Sequence, residues 1–286
     1  MLKASRPVRI DLHLLTGGAF AGGARTSQRG VGLDRIGTGL SAPGTRRGAA
    51  STRTPAAVVF DLDGTLADSF AGIRLALNAA LAEEGISERD LGWVRIHVGR
   101  GALELARDAV GERADGAFLA AMTARYLELY RATYLDHTPP LPGAAAALEF
   151  VAAGTAGRVA VVSNKDEALS RLWLRHAGFE RHVRAVVGPD TYGVRKPDPG
   201  ALLPVLRGFG VAPADALMVG DMVVDVAAGA GVGTPVVGVN ADPVAAAALR
   251  AAGATAVLGR VGQLPAWLVR HGRGWRYDGP VLGELG

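Results

Sequence analysis

Two aspartates two positions apart, Asp61 and Asp63, follow the apolar run Ala56-Ala57-Val58-Val59-Phe60. Such a run reads as a buried parallel strand, so both carboxylates fall at the mouth of a sheet. Gly64-Thr65 comes next, and the glycine lets the backbone turn so that successive N–H groups face an anion. A second segment, VAVVSNK, ends a strand at Ser163 and opens a helix at Asp166. A hydroxyl beside a helix N-terminus suits a phosphate oxygen. A third, GVRKPDP, carries Lys196 just before a helix, with Pro199 near its first turn. The fourth, LMVGDMVVDV, ends a strand at Asp221 and carries Asp225 one helical turn on. Two acids so placed can meet one hard divalent cation.

Each segment alone is common; all four in this order, each at a strand end, are hard to obtain by chance. The lysines add weight. The chain has 31 Lys and Arg residues, of which only Lys3, Lys165 and Lys196 are lysines, and two of those fall inside these segments. A compact ammonium rather than a planar fork is what these positions use.

The elements that position these residues form an alternating pattern. Apolar runs recur at 158–163, 185–188, 216–220 and 235–239. Helical patterns separate them at 143–153, 166–177, 199–209, 223–230 and 243–252. Strands alternating with helices predict βαβ units, an α/β doubly wound parallel sheet. The stretch 72–138 breaks the alternation. Ile73, Ala76, Leu77, Ala80 and Leu81 fall at helical spacing, as do Phe118, Met122, Tyr126, Leu129 and Tyr130. It predicts an inserted helical cap over the carboxyl edge of the sheet, where ligands bind in open α/β sheets. Asp68 and Ser69 are expected to cap the helix that enters it. The predicted organisation is a core of 55–71 and 139–271, a cap of 72–138 and a loose Gly-rich tail of 272–286.

Charge divides the chain further. The net charge is +4 at pH 7, yet residues 1–54 hold nine Lys or Arg against Asp11 and Asp34, while residues 55–286 are slightly acidic. The first 54 residues read as a disordered basic extension. They are expected to be dispensable; a targeting segment or a nucleic-acid arm is the alternative, and the arm is disfavoured because Phe20 is its only aromatic. There are no cysteines, which excludes disulfides, thiolate metal sites and cysteine nucleophiles. The six histidines lack ligand-like spacing. No apolar stretch approaches the roughly 18 residues of a membrane span.

Taken together, Asp61-Leu62-Asp63-Gly64-Thr65, Ser163, Lys196 and Gly220-Asp221 with Asp225 resemble the four motifs of the haloacid dehalogenase-like superfamily. The resemblance covers roughly residues 56–270. Within it, Ser163-Asn164-Lys165, the stretch HVGRGALEL and Pro142-Gly143 look most like phosphoglycolate phosphatases. Met222 departs from the pattern, standing where the family usually has a small hydroxyl residue.

The resemblance implies a Mg²⁺-dependent phosphatase working through an aspartyl-phosphate. Asp61 would be the nucleophile and Asp63 the general acid and base. Asp61, Asp63 (through its carbonyl), Asp221 and Asp225 would hold the metal. Gly64, Thr65, Ser163, Asn164 and Lys196 would bind phosphate. Arg100 and Lys165 are candidates for a substrate carboxylate. The implied substrate is a small phosphorylated metabolite, with 2-phosphoglycolate first and pyrophosphate, nucleotides or sugar phosphates as alternatives. A phosphomutase is disfavoured by Thr65, and a dehalogenase by the presence of Asp63. A binding protein using the basic arm is the non-enzymatic alternative. The expected enzyme is cytoplasmic, a monomer or homodimer, without membrane or nucleic-acid partners.

Overall fold

The computed structural model describes residues 55–271, so the basic extension 1–54 and the tail 272–286 lie outside the described residues. The chain enters through β1 (Ala57–Phe60) and leaves it for four helices. These are α1 (Phe70–Glu83), α2 (Leu91–His97), α3 (Ala102–Val110) and α4 (Gly116–Thr133). It returns through α5 (Ala144–Gly154), β2 (Val159–Val162), α6 (Glu167–His176), β3 (Ala185–Val187), α7 (Pro189–Tyr192) and α8 (Leu203–Phe209). The second half of the sheet follows as β4 (Ala216–Gly220), α9 (Val223–Val232), β5 (Val236–Val239), α10 (Pro243–Ala251), β6 (Ala256–Leu258) and α11 (Leu264–His271).

The six strands form one parallel sheet in the order β3-β2-β1-β4-β5-β6. β1 pairs with β2 through Val58 and Val159, and with β4 through Val58 and Leu217. The chain therefore builds one side of β1, then crosses to build the other. That reversal is the topological switch point of a doubly wound sheet, beyond whose carboxyl edge ligands bind.

Side chains leave each strand alternately to its two faces. Val58, Phe60, Val159, Val161, Leu217 and Val219 pack into one core. Ala57, Val59, Ala160, Val162, Ala216 and Met218 pack into the other. The first core runs on into the helical insertion through Ile73, Leu77, Met122 and Tyr126. That burial on both faces is why the strands read as continuous apolar runs rather than as alternating patterns.

The insertion is helical throughout, and α1 packs on α2, α3 and α4. Asp90 and Asp115 cap α2 and α4 by accepting from the N–H groups of Trp93 and Phe118. Its two links to the sheet are tied together: the Asp68 N–H donates to the Pro139 carbonyl at 2.9 Å and the Leu141 N–H to the Leu66 carbonyl at 2.9 Å.

The structure differs from the sequence expectation in several details, the four-residue α7 among them. Ser69 is the N-cap of α1, but its backbone is in the helical region and its side chain makes no capping bond. The hydroxyl is instead buried without a hydrogen-bond partner among the described residues. β6 was not expected, because it is a three-residue, half-buried strand at the sheet edge. α11 was not expected either; its buried face is only Leu264, Pro265 and Leu268. Among the described residues, no helix is long and apolar enough to cross a membrane.

Candidate active site

The residues after β1, β2 and β4 meet at the switch point. Asp61 follows β1, and its N–H donates to the Val219 carbonyl of β4 at 2.8 Å, which locks the start of the loop to the neighbouring strand. Asp221 follows β4, and Asp225 lies in the first turn of α9. One carboxylate oxygen from each of Asp61, Asp221 and Asp225 comes within 4.8 Å of the other two, and all three residues are buried.

Lys196 sits among them, only 3% exposed. Its Nζ donates to Asp61 Oδ1 at 2.6 Å and to Asp225 Oδ1 at 2.7 Å. The other oxygen of Asp225 accepts the Met222 N–H at 3.0 Å, so this acid also closes the first turn of α9.

Three carboxylates around one ammonium leave negative charge in a buried place. Burial pushes the Asp61 carboxyl up to about 6; the Lys196 ammonium pulls against this and Asp225 adds to it. Burial, then the charges of Asp61 and Asp225, pushes Asp221 well above the usual carboxylate range. For Lys196 burial opposes the charge, but Asp225 and Asp61 outweigh it and hold the ammonium above its ordinary value. A buried all-oxygen, anionic donor set of this kind fits a hard divalent cation such as Mg²⁺.

Asp63 has different company. Its carboxylate lies outside the acidic trio and meets Lys165, Nζ to Oδ1 at 2.5 Å. Lys165 also donates to the Tyr130 hydroxyl at 2.9 Å and to the Tyr134 hydroxyl at 3.5 Å. It lies over both rings, 5.0 and 4.5 Å from their centroids. Burial opposes the Lys165 charge, yet Asp63 and Tyr134 outweigh it and raise its pKa. Both tyrosines follow from α4, so the insertion reaches the acid through this lysine.

Gly64 and Thr65 have a neighbour the sequence did not indicate. A Cβ on Gly64, at φ +84°, would come 2.2 Å from Asp221 Oδ2. Thr65 donates its hydroxyl to Asp221 Oδ1 at 3.2 Å. Both residues therefore serve the placement of Asp221. Ser163 is buried in the cavity wall, where its Oγ accepts the Lys165 N–H at 3.3 Å. Asn164 uses its side-chain amide on the backbone of Lys196 and Gly99. Arg100 is not brought to the cavity: its guanidinium pairs with Asp108 and is half exposed.

The cavity between sheet edge and insertion is lined by Asp61, Asp63, Ser163, Lys165 and Lys196 from the core, with Gly99, Gly101, Tyr126 and Tyr130 from the insertion. Helical spacing places Tyr126 and Tyr130 in the insertion but does not show that Tyr130 approaches Lys165. Their repeat with Tyr134, four residues apart on one helix face, was the available signal.

A doubly wound sheet with an acidic pair after β1, a buried lysine and two further acids at the same edge defines a phosphoryl-group hydrolase with a helical insertion. Residues 55–233 match haloacid dehalogenase-like hydrolases, and the chain belongs to that family. It is 39% identical over 225 residues to a phosphoglycolate phosphatase of Rhodospirillum rubrum, covering 75% of this chain and 91% of the relative. It is 35% identical to a phosphoglycolate phosphatase of Aquifex aeolicus over 62% of this chain and 81% of that one. A crystal structure described as a predicted phosphoglycolate phosphatase from Haemophilus somnus shares the fold, with a TM-score of 0.67 at 21% identity, over 76% of this chain and 98% of that one. The chain is a phosphoric monoester hydrolase similar to phosphoglycolate phosphatases.

Proposed function

We propose that this enzyme hydrolyses 2-phosphoglycolate, with Mg²⁺, through a phosphorylated Asp61. The observation that carries the mechanism is the division between two carboxylates two residues apart. Asp61 belongs to the buried acidic trio with Lys196, while Asp63 is held apart by Lys165. Two environments give two roles.

Asp61 attacks phosphorus and the bond from phosphorus to the ester oxygen breaks; Asp63, which takes up a proton when Lys165 turns from it toward the substrate carboxylate, delivers that proton to the leaving glycolate oxygen. Water then attacks the phosphorus. Asp63 takes the water proton, the bond to Asp61 breaks and inorganic phosphate is released. Asp61, Asp221, Asp225 and the Asp63 carbonyl would hold the metal, with Thr65 orienting Asp221. When bound, Mg²⁺ offsets the repulsion between the Asp61 carboxylate and the phosphate dianion. Lys196, Ser163 and the N–H groups after Asp61 hold the phosphoryl oxygens.

Size and charge support a small acidic ester. The cavity measures about 80 Å³. At roughly 10–15 Å³ per water-sized group, that has room for a small metabolite. Lys165 lines its wall beside Lys196, and in this reading it meets the substrate carboxylate with the donor that otherwise makes the long 3.5 Å bond to Tyr134. The relatives named phosphoglycolate phosphatases support the same substrate. A diffusible metabolite suits a cytoplasmic enzyme working as a monomer or homodimer, which gel filtration of the purified chain tests.

The reading is tested by assaying 2-phosphoglycolate, pyrophosphate, a nucleoside monophosphate and a hexose phosphate with Mg²⁺ and with a chelator. Metal-dependent turnover led by 2-phosphoglycolate and abolished in Asp61→Asn is the expected result. A preference for another ester would replace the substrate, and full activity in Asp61→Asn would remove the nucleophile.

A further inference from the structure

The side chain of Asn164 links the insertion to the phosphate-binding lysine. The Asn164 Oδ1 accepts the Lys196 N–H at 2.8 Å, and its Nδ2 donates to the Lys196 carbonyl at 3.0 Å. The same Nδ2 donates to the Gly99 carbonyl of the insertion at 2.7 Å. The orientation of the amide has no alternative: an N–H can only donate and a carbonyl can only accept. At its far end Lys196 holds Asp61 and Asp225. One continuous line of hydrogen bonds thus runs from Gly99 through Asn164 and Lys196 to Asp61.

The insertion end of this line is a shaped loop. Gly99 and Gly101 have φ of +110° and +98°, and both line the cavity. Two more core side chains seat the loop. A Cβ on Gly99 would come 2.1 Å from Met222 Sδ, so the thioether rests on that glycine. Arg195 donates from Nη1 to the Arg100 carbonyl at 2.9 Å. Met222, the residue that departs from the family pattern, therefore meets the insertion with an apolar contact.

We infer that Asn164 is a positioning residue for Lys196: it transmits the seating of the Gly99–Gly101 loop to the ammonium that grips the phosphoryl group. The inference rests on the reading of Lys196 given under Proposed function. It departs from a purely structural role for Asn164, in which phosphate binding would be indifferent to the amide. It also separates Asn164 from the phosphate ligands, because its amide acts on Lys196 and not on the substrate.

The test uses the full chain and inorganic phosphate with Mg²⁺ present, measured by phosphorus NMR titration, beside turnover of 2-phosphoglycolate. Asn164→Asp keeps the acceptor for the Lys196 N–H and loses both donations. It is expected to weaken phosphate binding and to lower kcat, each about 10-fold or more, since small misplacements of a catalytic group have effects of this size. In a Lys196→Ala background the same change is expected to cost nothing further, the signature of two residues acting as one unit. Asn164→Ala repeats the measurement if the aspartate variant does not fold. Met222→Ala and Asn164→Ala are both expected to speed amide hydrogen exchange at residues 99–101, while only Asn164→Ala loses the two bonds that grip Lys196 directly. Unchanged phosphate affinity in both Asn164 variants, or a full additional loss in the Lys196→Ala background, would overturn the inference. Failure of the wild type to turn over phosphate esters would instead sink the proposed function, while phosphate binding would still read out Asn164.

Discussion

Lys165 Nζ lies 2.5 Å from Asp63 Oδ1, and the lysine side chain is 7% exposed. The ammonium has three donors, and Asp63, Tyr130 and Tyr134 receive them. Lys165→Met leaves the carboxylate in place without its charged partner. Removing one member of a buried pair costs about 3 kcal/mol. We expect that loss in urea unfolding, together with a fall in kcat/KM of about 10-fold or more because the acid is no longer held in one position. Unchanged kcat/KM would show that Asp63 does not depend on Lys165.

Tyr130→Phe keeps the ring under the ammonium and removes only the hydroxyl at 2.9 Å. The expected loss is about 1.5–3 kcal/mol, the value of a hydrogen bond to a charged group. Tyr130→Leu removes the ring as well and is expected to cost more. Equal stability for the two variants would assign no role to the ring.

Gly64→Ala places a methyl group against the Asp221 carboxylate and forces a side chain into a left-handed backbone. Asp221 must move. We expect Mg²⁺ affinity to fall about 10-fold or more, as for loss of partners that orient metal ligands, with far-ultraviolet circular dichroism unchanged. Thr65→Val, which deletes only the hydroxyl on Asp221, is expected to act in the same direction and more weakly.

The Asp61 carboxyl, raised by burial from its ordinary 3.8 to about 6, gives a pH dependence. Between these values the folded, metal-free protein holds a proton that the unfolded chain releases. The contribution of Asp61 to stability is therefore full below pH about 4 and is lost as pH rises through about 6. Metal binding must expel that proton, so apparent Mg²⁺ affinity is expected to drop below pH about 6. Calorimetry at pH 5.5 in two buffers of different ionisation enthalpy would read the proton release. Asp61→Asn should reduce it, leaving the part released by the raised Asp221, and identical heats in the two buffers would contradict the shift.

Much of this site was legible from residue type and position. Apolar runs ending in Asp61, Ser163 and Asp221 located three strand ends, and the parallel sheet sets them side by side. Asp225 followed from helix periodicity, being one turn along from Asp221. What stayed hidden depended on contacts across long stretches of chain. Gly64 and Thr65 have the residue types of a phosphate loop, and only the fold shows that Asp221 is their neighbour. In the sequence Arg100 ranks ahead of Lys165 as the cation for a substrate carboxylate, and the contacts of the two reverse that order. Docking of α4 brought Lys165 onto Asp63, while Asp108 engaged Arg100. β6 was lost because three residues at a half-buried edge carry too little apolar signal.

The strand order also fixes when the enzyme becomes an enzyme during its own synthesis. β1 emerges first of the six strands, but its two neighbours, β2 and β4, emerge about a hundred and about a hundred and sixty residues later. Until then the Asp61 strand has no lateral partner, and its apolar side chains face nothing that β2 or β4 will later supply. A nascent chain stopped before Asp221 carries Asp61 without the acids that complete its surroundings. The burden of keeping β1 from foreign strands falls on the interval before β4 arrives.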